Sequence, residues 1–85
     1  MSDKMSINIE VLGVNTVHNY LVPTDMSVFK LTNLIMKTLS EEYPKAELKK
    51  SENHFLIQAS SGKILTQNCG LNQLGIVNGE KLILL

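Results

Sequence analysis

The side chains of this sequence that could do covalent or acid–base chemistry are few and far apart. His18 and His54 lie in separate extended runs, Cys69 stands beside Gly70 in a polar stretch, and Glu41 and Glu42 are consecutive. Nucleophilic catalysis needs a nucleophile, a base and an orienting group that converge on one reacting atom. Neither histidine has a sequence partner that points to such a triad, so both read as structural or merely exposed. Cys69 has no neighbouring cation in the sequence to favour a thiolate, and reads as a small packing residue in a loop. Adjacent helical positions do not face each other, so Glu41-Glu42 is a solvated helix end and not a carboxylate pair. One cysteine and two scattered histidines have no zinc-ligand spacing, and no Gly-rich loop offers a phosphate cradle. The expectation is a non-enzyme with no catalytic residue, no metal and no cofactor.

Composition narrows the partners in the same way. The 85 residues are 44% hydrophobic and 19% charged, enough for one small domain with a modest core, residues 1–85. Eight lysines balance eight Asp plus Glu, and arginine is absent. Without a basic surface or the planar bidentate fork of a guanidinium, nucleic acid is not an expected partner. A single cysteine cannot form an internal disulfide, the N-terminus lacks the regions of a signal peptide, and no apolar run approaches the ~20 residues that span a bilayer. The chain reads as cytoplasmic, without direct membrane insertion, and residues 1–5 are expected to be disordered.

The elements follow from period and punctuation. Ile7, Ile9 and Val11 alternate with Asn8 and Glu10, as in a strand with one buried face. Gly13–Thr16 is a turn, and Val17–Val22 a second strand in which either Val17, Asn19 and Leu21 or His18, Tyr20 and Val22 face inward. Pro23 ends that strand. Asp25 or Ser27 caps a helix whose buried stripe is Val28, Leu31, Leu34, Ile35 and Leu39, and Glu41-Glu42-Tyr43-Pro44 stops it. Lys45–Asn53 reads as a solvated loop. A third strand spans His54–Ala59, Ser60–Lys63 is a turn, Ile64–Thr66 a short strand, and Leu71–Leu74 a helical turn closed by Gly75. Asn78-Gly79 launches the last strand, Leu82–Leu85. The order is β-β-α-β-β-turn-β, an α+β fold with a mixed sheet of four to five strands covered on one face by one helix.

These residues resemble the ubiquitin-like β-grasp proteins. Leu21-Val22-Pro23-Thr24-Asp25-Met26-Ser27-Val28 is similar to the strand, proline and capped helix start of ubiquitin. Phe55–Ala59, Gly62-Lys63 and Leu71–Ile76 are similar to its later strands and short helix. Within that superfamily the chain resembles the YukD/EsaB-like proteins through His54-Phe55-Leu56, Cys69-Gly70-Leu71 and Gly75–Leu84. The resemblance implies a small cytoplasmic accessory or regulatory protein of a Gram-positive type VII (WXG100, Ess/ESX) secretion system. Its partner would be a protein, for example a secretion membrane component or ATPase. A ubiquitin-like modifier or sulfur carrier is the alternative. It is disfavoured because the terminal carboxylate of such a protein must reach an enzyme on a flexible Gly-Gly tail, whereas this sequence ends on the strand at Leu85.

One helix covers one face, so in the last strand Leu82 and Leu84 are expected in the core and Ile83 and Leu85 on the other side. The resemblance turns Leu56 inward and Phe55 and Ile57 outward, whereas the apolar count alone prefers the opposite register, with Phe55, Ile57 and Ala59 buried. In the first register Phe55, Ile57, Ile83 and Leu85 form one exposed apolar patch. That patch is the candidate partner-binding face, and a homodimer in which two such patches meet is a further expectation.

Overall fold

The computed structural model describes residues 3–12, 16–43 and 54–85. Strands β1 (Lys4–Val11) and β2 (Thr16–Pro23) precede helix α1 (Val28–Glu42). Strand β3 (Leu56–Gln58), a 3-10 turn (Asn72–Leu74) and strand β4 (Glu80–Leu84) follow. The sheet order is β2-β1-β4-β3, with β1 and β4 parallel at the centre and antiparallel pairs on either side. This is the mixed sheet with one covering helix expected from the order of elements. The turn residues 13–15 and the Lys45–Asn53 segment lie outside the described residues.

Alternation in β1 does what its period dictates: Met5, Ile7, Ile9 and Val11 are all buried on the helix side. Order therefore begins earlier than expected, because Lys4 and Met5 pair with Pro23 and Val22 and the Met5 side chain fills the core. The same register settles β2. Tyr20 lies opposite Ile7 and His18 opposite Ile9, so His18, Tyr20 and Val22 face the helix while Val17, Asn19 and Leu21 face out.

Ser27 begins α1 as its N-cap, its Oγ accepting from the Lys30 N–H at 3.2 Å. Val28, Leu31, Ile35 and Leu39 are fully buried. Leu34, expected in that stripe, is instead exposed, because at about 100° per residue it lies beyond the edge of the stripe, roughly 105° from the centre of the other four. Thr32 takes the buried position, and its hydroxyl is satisfied by donating to the Val28 carbonyl at 2.9 Å. Tyr43 closes the helix through an N–H bond to the Leu39 carbonyl.

The expected strand at Ile64–Thr66 is reduced to one bridge, Ile57 with Ile64. The cause lies downstream. Leu65 turns into the core, and the carbonyls of Gln67 and Cys69 accept the Phe29 and Val28 N–H groups at 3.0 Å each. These are first-turn donors of α1 that have no partner within the helix. The chain leaves the sheet to satisfy them. Gly70 is required at this crossing, since a Cβ there would lie 2.9 Å from Asn72 Oδ1 and 3.0 Å from the Asp25 carbonyl oxygen. Gly75, at φ 76°, ends the 3-10 turn in the left-handed region that favours glycine.

Candidate protein-binding face

The face of the sheet opposite α1 carries the candidate site. In β3 the helix-facing residue is Leu56, fully buried, which is the register implied by the ubiquitin-like resemblance and the reverse of the one the apolar count prefers. Physically, Leu56 lies opposite Leu84 and completes the core. Gln58, also on that side, stays at the rim, where its Nε2 donates to Glu80 at 3.2 Å.

On the open face Ile57 lies opposite Ile83, and Ile57 bridges to Ile64 on its other side. The Leu85 N–H donates to the Phe55 carbonyl at 3.0 Å, which carries the ladder one residue further and sets Phe55 beside Leu85. The four residues expected on this face are therefore neighbours. Phe55 is 40% and Leu85 52% exposed, while Ile57 and Ile83 are half-buried by one another. Ile64, 61% exposed, extends the patch to the sheet edge. It was not assigned to the face from sequence; the available signal was its place just after the Ser60–Lys63 turn, which returns the chain alongside Ile57.

The middle of this face is polar. Glu10, opposite Ile83 in β1, forms an ion pair with Lys81 at 2.8 Å. The Asn19 side-chain amide donates to Ser6 Oγ, Asn8 Oδ1 and the Ile7 carbonyl. The patch is thus apolar over β3 and β4 and is bordered by the hydrogen-bonded groups of β1 and Asn19, beyond which Val17 and Leu21 of β2 are exposed on the same face.

The titratable side chains are distributed elsewhere. His18 sits under the end of α1, its Nε2 3.7 Å from Glu42 Oε2, with the Tyr20 and Tyr43 rings 6.4 and 6.3 Å away. Burial pushes the Tyr20 phenol above its ordinary value of 10.0; the Thr38 hydroxyl opposes the shift and the Glu42 carboxylate adds to it. Thr38 itself donates to the Leu34 carbonyl, which leaves the Tyr20 hydroxyl no more than a loose contact with it. His54 Nδ1 lies 3.3 Å from the Leu85 carbonyl oxygen at the rim of the patch. Cys69 is half-buried, and Glu41 and Glu42 are exposed. No group of three or more His, Cys, Asp or Glu that could hold a metal occurs among the described residues. None of their helices is long and apolar enough to cross a membrane.

Comparison with known proteins places the architecture. No family model and no curated protein matches the sequence. Solved structures match over nearly the whole chain. The ubiquitin-like domain of EccD5 from Mycobacterium xenopi superimposes with a TM-score of 0.79 at 12% identity, over 98% of this chain and 93% of that one. The ubiquitin-like domain of the Mycobacterium tuberculosis type VII secretion system protein EccD1 gives 0.71 at 16% identity, over 96% and 97%. The ubiquitin-like domain of Plasmodium falciparum Dsk2 gives 0.74 at 18% identity, over 95% of each chain. The chain has the ubiquitin-like β-grasp fold.

Proposed function

We propose that this protein is a non-enzymatic, cytoplasmic binding module of a Gram-positive type VII secretion system, related to the YukD/EsaB-like proteins, and that it acts through Phe55, Ile57, Ile83 and Leu85, with Ile64 at the edge. The observation that carries this reading is the contiguous apolar patch on the sheet face that α1 leaves open. Burial of an aliphatic or aromatic side chain contributes up to roughly 1.5–3 kcal/mol, so a few such groups supply much of the gross drive for a modest-affinity complex before association costs. The polar groups along β1 give the patch the rim that a partner needs for orientation. Secretion is favoured over other roles of the fold by the likeness to the EccD domains and to a chain of the ESX-5 inner membrane complex, of which the match spans 21%. The partner on this reading is a protein of the secretion apparatus, such as a membrane component or its ATPase.

Native affinity purification of the tagged protein from its own cells, beside an Ile83→Lys variant, tests the proposal. The wild type should recover type VII components that the variant loses. Recovery of an activating enzyme or a sulfurtransferase, as covalent adducts under denaturing conditions, would replace it with a modifier or carrier role.

A further inference from the structure

The two edges of the sheet are built differently. At the β3 edge the strand is three residues long, and the returning chain occupies its outer hydrogen-bonding groups: the Gln58 N–H donates to the Lys63 carbonyl at 2.9 Å and the Leu65 N–H to the Leu56 carbonyl at 2.8 Å. The β2 edge is eight residues long, and among the described residues no strand pairs with its outer side. It also lacks the usual guards. An exposed edge is normally blunted by charge, a bulge or an internal proline. Thr16–Pro23 contains no Lys, Arg, Asp or Glu, runs in unbroken register with β1, and has its proline only at the last position.

The hydrogen-bonding phase of that edge is fixed. The Thr24 N–H donates to the Asp3 carbonyl, so the even-numbered residues of β2 direct their backbone groups to β1. Ser6 confirms this phase from the other strand: its N–H and carbonyl engage Asn78 and Gly79, on the β4 side. Val17, Asn19 and Leu21 therefore present both N–H and carbonyl groups at the open edge. Their side chains all lie on the face away from α1, with Val17 56% and Leu21 66% exposed.

We propose that β2 pairs antiparallel with β2 of a second copy of this chain, about a two-fold axis at Asn19, to join two four-stranded sheets into one. The argument for a second copy is that the edge is complementary to itself in this register. Val17 lies opposite the second copy's Leu21, Leu21 opposite its Val17, and Asn19 opposite its Asn19. Each of these pairs exchanges two backbone hydrogen bonds. A shift of the axis by one residue either way sets Asn19 against Val17 or Leu21, an apolar–polar mismatch on the open face. On the opposite face the same axis sets His18 beside the second copy's Tyr20. The strand carries no formal charge that would oppose its own approach. The apolar patch on β3 and β4 stays free in the pair, so this inference is independent of the proposed function.

Light scattering after size exclusion, across concentrations from micromolar to millimolar, reads the association directly. The wild type should move from 9.5 kDa towards twice that mass as concentration rises. Val17→Lys with Leu21→Lys places like charges opposite each other twice and should weaken association about tenfold or more, while Val17→Lys with Leu21→Glu places opposite charges there and should restore it. Both positions face solvent, so melting curves should stay near wild type and exclude misfolding as the cause. A wild type that remains at 9.5 kDa throughout overturns the proposal. So does a double-lysine variant that still pairs, or a Lys/Glu variant that does not. Loss of association in Ile83→Lys alone would place the contact on the apolar patch instead.

Discussion

Leu82 and Ile83 are consecutive residues of one strand, yet they face different environments: Leu82 is fully buried under α1, while Ile83 meets Ile57 on a face that no helix among the described residues covers. The contrast extends across the sheet. The covered face takes Met5, Ile7, Ile9, Val11, Leu56, Leu82 and Leu84 and packs them against one helical stripe. The open face is divided, with ion-paired and amide-bonded groups along β1 and at Asn19, aliphatic and aromatic groups over β3 and β4, and exposed Val17 and Leu21 at the β2 edge. If that face served only solubility, its polar groups would be repeated over β3 and β4. The division teaches that alternate residues of the same strands meet different demands, one set filling the core and the other leaving over β3 and β4 the surface proposed for recognition.

Truncation on the covered face should have the largest effect. Leu82→Ala removes a fully buried side chain from the centre of the sheet and should cost about 2–5 kcal/mol, read from denaturant midpoints at unchanged slope. Ile83→Lys, one residue away, should cost less than about 1.5 kcal/mol by the same measurement, since its side chain is half-exposed and can turn the ammonium to water. A loss as large as that of Leu82→Ala would erase the distinction between the faces.

Within the open face the polar middle should matter little to folding. Lys81 is half-exposed and Glu10 about a third, so removal of their ion pair by Lys81→Ala should cost roughly 0–1 kcal/mol, less in high salt than in low. Denaturant titrations at two ionic strengths check this, and a salt-independent loss above that range would assign the pair a structural role.

The smallest effect at neutral pH is expected at Tyr20. Its hydroxyl has no partner beyond a loose contact with the Thr38 hydroxyl, which is itself committed to the Leu34 carbonyl, so Tyr20→Phe should be nearly neutral there. In alkali the two proteins should diverge. Burial raises the phenol pKa in the folded state, so above the ordinary value of 10.0 the unfolded chain releases a proton that the folded chain retains. The stability due to this group is fully present below that pH and declines as pH rises through the folded-state pKa. Phenylalanine removes that decline, and stability measured from neutral pH to above pH 10 should fall less steeply in the variant.

The parts of the fold legible in the sequence are those where one period dominates. Ile7, Ile9 and Val11, the helical stripe apart from Leu34, and the Asn78-Gly79 start of β4 carry clear signals, while the choice between Asp25 and Ser27 as the cap is settled by the structure. Strand β2 was ambiguous because both of its residue sets are partly apolar, and the outcome is decided by the end of α1, which shelters His18 and Tyr20. Strand β3 was harder. Phe55, Ile57 and Ala59 outweigh His54, Leu56 and Gln58 in apolar content, and only the likeness to ubiquitin pointed to Leu56 as the inward residue. An apolar surface left outside the core defeats a rule that counts apolar residues as buried. The loss of the strand at Ile64 was not legible at all, because it depends on carbonyls of Gln67 and Cys69 meeting the start of a helix far away in sequence.

The measurement that bears most directly on the role of the open face is the yield of co-purifying type VII components for Ile83→Lys relative to wild type, normalised to folded protein. A fall of about tenfold or more, with the melting temperature within a few degrees of wild type, is the result expected if β3 and β4 present a binding surface. An unchanged set of partners at unchanged yield would contradict it and leave the apolar patch without a role in recognition.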